Sequence, residues 1–121
     1  MGLFNTKSSE EKRFIEIERY LLDGEEIVFE VGTIDKAFIT NYRVIFKDIS
    51  ISLKGDLMEM VFIPFSKIDG VSFVELNKIT FNRAVRIKTG GFRHDIGFAK
   101  SEEKDCLELC TRLNKILLEQ T

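Results

Sequence analysis

Hydrophobic and polar residues alternate along most of the chain between residues 25 and 99, a pattern typical of half-buried β-strands. In the segment EIVFEVG, for example, the alternation puts Ile27, Phe29 and Val31 on one face. The same period continues through four further segments, DKAFITNYRVIFKD, ISISLKGDLMEMVFIPF, KIDGVSFVEL and RAVRIKTGGFRHDIGF. Together the five segments predict about seven short antiparallel strands.

Residues typical of turns divide these segments. A tight turn near Thr40 and Asn41 is expected to separate two strands, because asparagine tolerates the left-handed backbone conformation. The second of these strands would turn Tyr42, Val44 and Phe46 to one face. The sequence therefore predicts a hairpin between residues 36 and 48.

Glycine and proline mark the remaining boundaries. A turn is predicted at Lys54-Gly55-Asp56, and Pro64 is expected to end the following strand because proline cannot donate a backbone hydrogen bond. Gly90 and Gly91 predict a two-residue hairpin turn. The register that follows from it pairs Thr89 with Phe92, Lys88 with Arg93, Arg86 with Asp95 and Val85 with Ile96.

Helical periodicity is found at the two ends of the chain. Ser8 and Glu11 have the spacing of a capping box, and Gly24 is a typical residue after a helix end. At the other end, Ser101 is a suitable N-cap for a helix with an apolar stripe formed by Cys106, Leu109, Cys110, Leu113, Ile116 and Leu117. We expect a tail and helix over residues 1–24, strands over 25–99 and a helix over 101–119, all in a single domain of residues 1–121.

Composition narrows the class of protein. The 121 residues are 44% hydrophobic and 31% charged, as in an ordinary globular domain. The net charge of −2 argues against nucleic-acid binding, which needs an excess of basic residues. No apolar run approaches the ~20 residues needed to span a bilayer. The segment MGLFNTKSSEEKRF has no apolar core of signal-peptide length, so we expect a cytoplasmic location.

Three segments resemble the bacterial pleckstrin-homology-like domains and the related GRAM domains: LLDGEEIVF, AFITNYRVIFKD and IPFSKIDGVSF, which span Leu21–Phe29, Ala37–Asp48 and Ile63–Phe73. The resemblance implies a mostly β fold, a bent antiparallel sheet or partly open barrel of about seven strands capped by the C-terminal helix. It also implies a binding or assembly module without catalytic residues. Some small bacterial members of this group form homo-oligomeric rings.

The sequence departs from phosphoinositide-binding members of this group at the turn between the first two strands. Those domains cluster Lys and Arg there, whereas FEVGTIDKAF has Glu30 and Asp35 around the single Lys36. Acidic side chains repel a phosphorylated inositol. We therefore do not expect phosphoinositide binding at this turn.

No pattern in the sequence predicts catalysis or a metal. His94 is the single histidine, and neither G-x-S-x-G nor H-E-x-x-H surrounds it. KTGG lacks the P-loop spacing and precedes a strand rather than a helix. Cys106 and Cys110 have too few companion ligands for a metal site, so we interpret them as buried small hydrophobes. We expect no enzyme activity, cofactor or metal.

Charge is distributed unevenly along the chain. The candidate binding residues are the four basic residues of the last hairpin, Arg83, Arg86, Lys88 and Arg93. Residues 10–30 instead contain eight acidic and three basic residues. Both regions can be ordinary solvated faces, or two copies of the chain can associate head to tail through them.

A second candidate for self-association is the stretch DISISLKGDL. Alternation puts Ile49, Ile51 and Leu53 on one side, either lining the domain or exposed to a partner. We therefore predict a non-catalytic module that acts through protein partners, including copies of itself. The alternative is a peripheral membrane module that binds anionic lipid headgroups through the basic hairpin.

Overall fold

The computed structural model describes residues 17–32, 37–48, 59–75 and 83–120. Seven strands lie within these residues: β1 (Ile27–Val31), β2 (Ala37–Thr40), β3 (Arg43–Asp48), β4 (Glu59–Pro64), β5 (Gly70–Glu75), β6 (Arg83–Thr89) and β7 (Phe92–Phe98). The helix Glu103–Glu119, called the C-terminal helix below, follows them. The predicted turn at Lys54–Asp56 and the self-association candidates Ile49, Ile51 and Leu53 lie outside the described residues.

The strands form two antiparallel sheets. One contains β1 to β4 in sequence order, and the other contains β5 to β7 in sequence order. Pro64 ends β4 as predicted, and a single 3-10 turn at Phe65–Lys67 leads into the second sheet. Phe65 and Ile68 are buried at this corner and anchor it to the core. The predicted class, a mostly β fold with a closing helix, is confirmed.

The main core lies between the two sheets and the C-terminal helix. Phe46 of the first sheet, Val85 and Phe98 of the second, and Leu109 and Leu113 of the helix are all fully buried there. The helix packs on β5 and β6 and also reaches β1. Its predicted apolar stripe is confirmed, because this stripe is the face that the helix turns to the sheets.

The outer face of the first sheet is also covered. Ile17, Phe38 and Ile45 form a second buried cluster, against which Tyr20 and Phe62 pack. The segment before β1 thus folds onto its own sheet. Because both faces of this sheet are apolar, all four residues of β2 are buried.

Two predicted helix boundaries are wrong. Residues 17 and 18 are helical, but backbone hydrogen bonds from Tyr20 to Ile17 and from Leu21 to Glu18 tighten and end the helix before Gly24. Ser101 is not an N-cap, because it lies inside a 3-10 turn at Lys100–Glu102 that precedes the C-terminal helix.

Two face assignments also need correction. A bulge in β1 shifts its register between Ile27 and Phe29, so Phe29 packs on the main core while Ile27 packs on the second cluster. Tyr42 lies in the turn before β3 and is 44% exposed, whereas Val44 and Phe46 reach the core as predicted. In both places the turn or bulge interrupts the two-residue period on which the prediction depends.

Candidate functional site

The β6–β7 hairpin has the predicted register. Thr89 lies opposite Phe92, Lys88 opposite Arg93 and Arg86 opposite Asp95. Gly90 and Gly91 have φ values of 48° and 98°, the positive values that a two-residue hairpin turn of this twist requires. The turn therefore explains both glycines without a bound phosphate.

Arg83 is the first of the four predicted binding residues, and it faces the C-terminal helix. Its guanidinium forms an ion pair with Glu103, at the start of that helix. The hydrogen bond from Arg83 to the Glu103 carboxylate raises the pKa of the guanidinium, which burial opposes. Arg83 thus links β6 to the helix and lies apart from the outer face of the hairpin.

Arg86 is held by the residue opposite it. Its Nε and one terminal nitrogen donate to the two carboxylate oxygens of Asp95 at 2.8 and 3.0 Å. The hydrogen bond from Arg86 lowers the pKa of Asp95, although partial burial acts in the other direction. Most of the charge of Arg86 is therefore neutralised across the strand pair.

Lys88 and Arg93 are directly opposite each other and are both exposed. Within the described chain, neither forms an ion pair with an acidic residue. Phe92, the neighbour of Arg93 in β7, is 74% exposed and points to the opposite face of the hairpin. We call Lys88, Phe92 and Arg93 the basic tip. The nearby Asp69 accepts a hydrogen bond from the backbone N–H of Gly90 at 2.6 Å, so its carboxylate is used in holding the turn.

His94 lies on the apolar side of the hairpin, as its register predicts. It is half-buried, and its ring meets that of Phe46 edge-on, with 6.0 Å between the ring centroids. This is the position of a residue at the rim of the core.

A buried ion pair joins the segment before β1 to the β2–β3 turn. Glu25 is buried and accepts hydrogen bonds from Arg43 Nε at 2.8 Å and from a terminal nitrogen of Arg43 at 2.9 Å. It also accepts bonds from the Thr40 hydroxyl at 2.7 Å and from the Leu22 N–H at 2.9 Å. Burial raises the pKa of Glu25, but these donors outweigh it and the pKa is lowered overall.

Asn41 connects the same two segments. Its side-chain oxygen accepts a hydrogen bond from the Glu26 N–H, and its side-chain nitrogen donates to the Gly24 carbonyl. Gly24 has a φ of 80°, and a Cβ there would lie 2.9 Å from the Tyr42 hydroxyl. The segments LLDGEEIVF and AFITNYRVIFKD are thus in contact, and these residues have structural roles.

This junction leaves an exposed surface at the end of the first sheet. Leu22 is 56% exposed and Tyr42 is 44% exposed, and the acidic side chains of Asp23 and Glu26 are exposed next to them. We call these four residues the acidic turn. The sequence indicated the acidic character of this region, but not the exposure of Leu22 and Tyr42.

The two cysteines, considered above as possible metal ligands, lie in the main core. Cys106 and Cys110 are free and buried, and burial raises the pKa of Cys110 while a hydrogen bond from Asn114 opposes the shift. In the described ranges, no three His, Cys, Asp or Glu side chains are grouped so that they could hold a metal ion. The same ranges contain no helix of the length and hydrophobicity that a membrane span requires.

Comparison with known proteins identifies the fold. No protein-family model and no curated protein matches the chain. The crystal structure of a DUF1696 family protein with a pleckstrin-homology domain, from Shewanella loihica PV-4, is similar with a TM-score of 0.61. The match covers 88% of this chain and 92% of that chain, at 14% sequence identity. The chain therefore has a pleckstrin-homology-like fold.

Proposed function

We propose that this domain is a non-catalytic binding module that acts through protein–protein contacts, including contacts with further copies of itself. The observation that carries the proposal is the basic tip. Lys88 and Arg93 face each other as like charges on one face of the hairpin end, and Phe92 is exposed on the other face.

This arrangement costs the isolated domain stability. Like charges directly opposite each other destabilise a strand pair, and an exposed aromatic ring gains nothing from burial. The other two cations of the hairpin, Arg83 and Arg86, have ion-pair partners within the fold. Among the four basic residues of this hairpin, Lys88 and Arg93 are thus the two whose charges a partner would complete.

The non-catalytic part of the proposal is supported by the positions of the reactive side chains. His94 packs against Phe46, and both thiols are buried. Glu25 and Asp95 each bind an arginine. These groups hold the fold together, and none of them converges with a second reactive group on an open cleft.

The second candidate function is binding to an anionic lipid surface. The observation that favours it is that the end of this hairpin carries the exposed Phe92 as well as Lys88 and Arg93, since an aromatic ring can enter the headgroup region while basic residues bind phosphates. Two of the four cations first expected to bind lipid, Arg83 and Arg86, already bind carboxylates. Lipid binding would therefore depend on Lys88 and Arg93.

Light scattering after size-exclusion chromatography, from low micromolar to millimolar concentration, tests the first function. We expect the mean mass to rise above that of one chain of 14.0 kDa as the concentration increases. A mass that stays at one chain throughout would contradict self-association. Sedimentation with anionic liposomes at low and high salt tests the second function, which requires binding that is lost in Lys88→Glu/Arg93→Glu.

A further inference from the structure

The second sheet ends on one side at β5, which within the described chain pairs with β6 and with no other strand. No residue of β5 is fully buried, whereas β6 contains three buried residues. An edge strand presents a row of unpaired backbone N–H and C=O groups, which can pair with another extended chain. The free side of β5 is therefore a place where a partner can add a strand.

The hairpin register determines which backbone groups of β6 point toward β5. Thr89 and Phe92 flank the two-residue turn, and residues in this position exchange hydrogen bonds with each other. Because the direction alternates along an antiparallel strand, Lys88 and every second residue before it direct their backbone groups toward β5. The hydrogen bond from the Asp69 N–H to the Lys88 carbonyl has this direction.

The same alternation identifies the free backbone groups of β5. Residues 70, 72 and 74 lie opposite the β6 residues that point toward β5, so their N–H and C=O groups are used within the sheet. Val71, Phe73 and Glu75 therefore direct theirs to the open edge. Three residues that alternate in this way can pair with a short extended segment, whose main chain would form hydrogen bonds along β5.

The other sheet edges have features that discourage such pairing. β1 has a bulge, β4 ends at Pro64, and β7 contains the charged residues Arg93 and Asp95. Bulges, prolines and charged side chains are common means by which an edge strand avoids pairing with other chains. The residues from Gly70 to Val74 in β5 have none of these. Among the edges of the described strands, β5 is thus the one best suited to accept a partner.

The side chains of β5 specify the chemistry of that partner. Val71 and Phe73 are half-buried and pack against the main core, so the residues opposite them should be apolar. Glu75 is exposed and forms no ion pair within the described chain. Arg83 lies opposite it in β6 but binds Glu103. A basic side chain placed opposite Glu75 would therefore complete its charge.

We propose that β5 binds an extended segment of a partner protein, which adds to the second sheet as a further antiparallel strand. Read from its N-terminus, the segment has a basic residue opposite Glu75. It then has an apolar residue two positions later, opposite Phe73, and another two positions after that, opposite Val71.

A second copy of the chain fits this edge less well. In a pair of β5 strands from two copies, the antiparallel alignment that uses all three free residues puts Val71 opposite Glu75. The charge of Glu75 then has no partner, whereas a different chain can supply a basic residue there. The residues involved differ from those of the basic tip, and self-association is not required.

A labelled peptide, Lys-Thr-Val-Thr-Val between Gly-Ser ends, tests the proposal by fluorescence anisotropy. Methylation of the backbone nitrogen of its first valine removes the N–H that would donate to the Phe73 carbonyl, and should weaken binding by about tenfold or more. Methylation of the nitrogen of the next residue, a threonine, is the matched control. That N–H would point away from β5, so we expect its loss to change the affinity by less than about twofold.

Glu75→Lys tests the charge. It should weaken binding of the lysine peptide by about fivefold or more, and it should restore binding to a peptide that has glutamate in place of the lysine. Glu30→Lys makes the same change in charge at an exposed position of β1 and should bind the lysine peptide like the wild type. Circular dichroism of both variants checks that they are folded.

Three results would each overturn the proposal. The first is no measurable binding of the lysine peptide at millimolar concentration. The second is an equal loss of affinity in the two methylated peptides, which would show that the peptide does not add as a strand. The third is dissociation of larger assemblies of the protein by the peptide, with an affinity that falls as the protein concentration rises. That result would show that β5 pairs with a second copy instead of a partner protein.

Discussion

At the scale of single residues, Glu25 is a buried carboxylate whose hydrogen bonds are all made within the fold. Its four hydrogen-bond donors come from Leu22, Thr40 and Arg43, and the guanidinium of Arg43 also lies over the Phe62 ring at 4.7 Å. A buried carboxylate is stable only while its partners remain, because water cannot replace them. The ion pair of Glu25 and Arg43 thus holds the segment before β1 against the β2–β3 turn.

Replacing Arg43 with methionine should lower the free energy of unfolding by about 3 kcal/mol, since it leaves Glu25 buried without a counter-charge. Urea denaturation followed by circular dichroism measures the change. Arg93→Met is the matched control: Arg93 is exposed at the basic tip, and its loss should change stability by no more than about 0.5 kcal/mol. Equal effects of the two substitutions would contradict the role given to the buried pair.

At the scale of elements, the β6–β7 hairpin is specified by its own residues. Two glycines at positive φ close the turn, and the cross-strand pair of Arg86 and Asp95 supports the register on the outer face. Nothing lies within 4 Å of a Cβ added at either glycine, so any cost of substitution there comes from the backbone alone. The two glycines differ in φ, and this difference gives a test.

Gly91→Ala should lower the free energy of unfolding by about 1–2 kcal/mol, because a φ of 98° is unfavourable for an L-residue. Gly90→Asn should change it by less than about 0.5 kcal/mol, since asparagine adopts a φ near 48° and Asn-Gly is favoured in this turn. Thermal denaturation of the two variants measures the difference. An equal loss in both would show that the turn does not have the conformation described.

At the scale of the whole molecule, the C-terminal helix joins the two sheets into one core. Leu109 and Leu113 are fully buried against residues of both sheets, and Arg112 lies over the Phe29 ring of β1 at 4.2 Å. The helix therefore completes the main core. Its solvent-facing side has a different composition, with Leu107 and Leu118 exposed.

Leu109→Ala should cost about 3 kcal/mol of stability, as expected when a fully buried leucine is truncated and a cavity remains. Leu107→Ala, at a neighbouring position that is 42% exposed, should cost less than about 1 kcal/mol. Because the core is shared by both sheets, the loss in Leu109→Ala should appear in a single cooperative unfolding transition. A transition that splits into two steps would contradict the shared core.

Local patterns were sufficient for much of the fold. The hairpin register of β6 and β7, the end of β4 at Pro64 and the apolar stripe of the C-terminal helix follow from residues near each other in sequence. Each is controlled by a local rule, namely turn geometry, a missing donor or helical period. The basic residues of the hairpin are also close together in the sequence, so their grouping could be predicted from it.

Tertiary structure decided which of those residues remain available to a partner. In the sequence, nothing distinguishes Arg83 and Arg86 from Lys88 and Arg93. In the fold, Arg83 binds Glu103, which lies twenty residues later in the chain. Arg86 binds Asp95 across the hairpin. The bulge in β1 likewise separates Ile27 from Phe29, which the two-residue period had placed together.

The sequence by itself determined the strand and helix pattern and the charge of two regions, because both are properties of neighbouring residues. Only the folded chain joined the β2–β3 turn and the β6–β7 hairpin to the segment between the two sheets, through the hydrogen bonds of Phe65 to Tyr42 and of Asp69 to Lys88. Those contacts join residues 19 to 23 positions apart in sequence, and no local period encodes such a pairing. These long-range contacts are determined instead by the packing of the two sheets around their shared core.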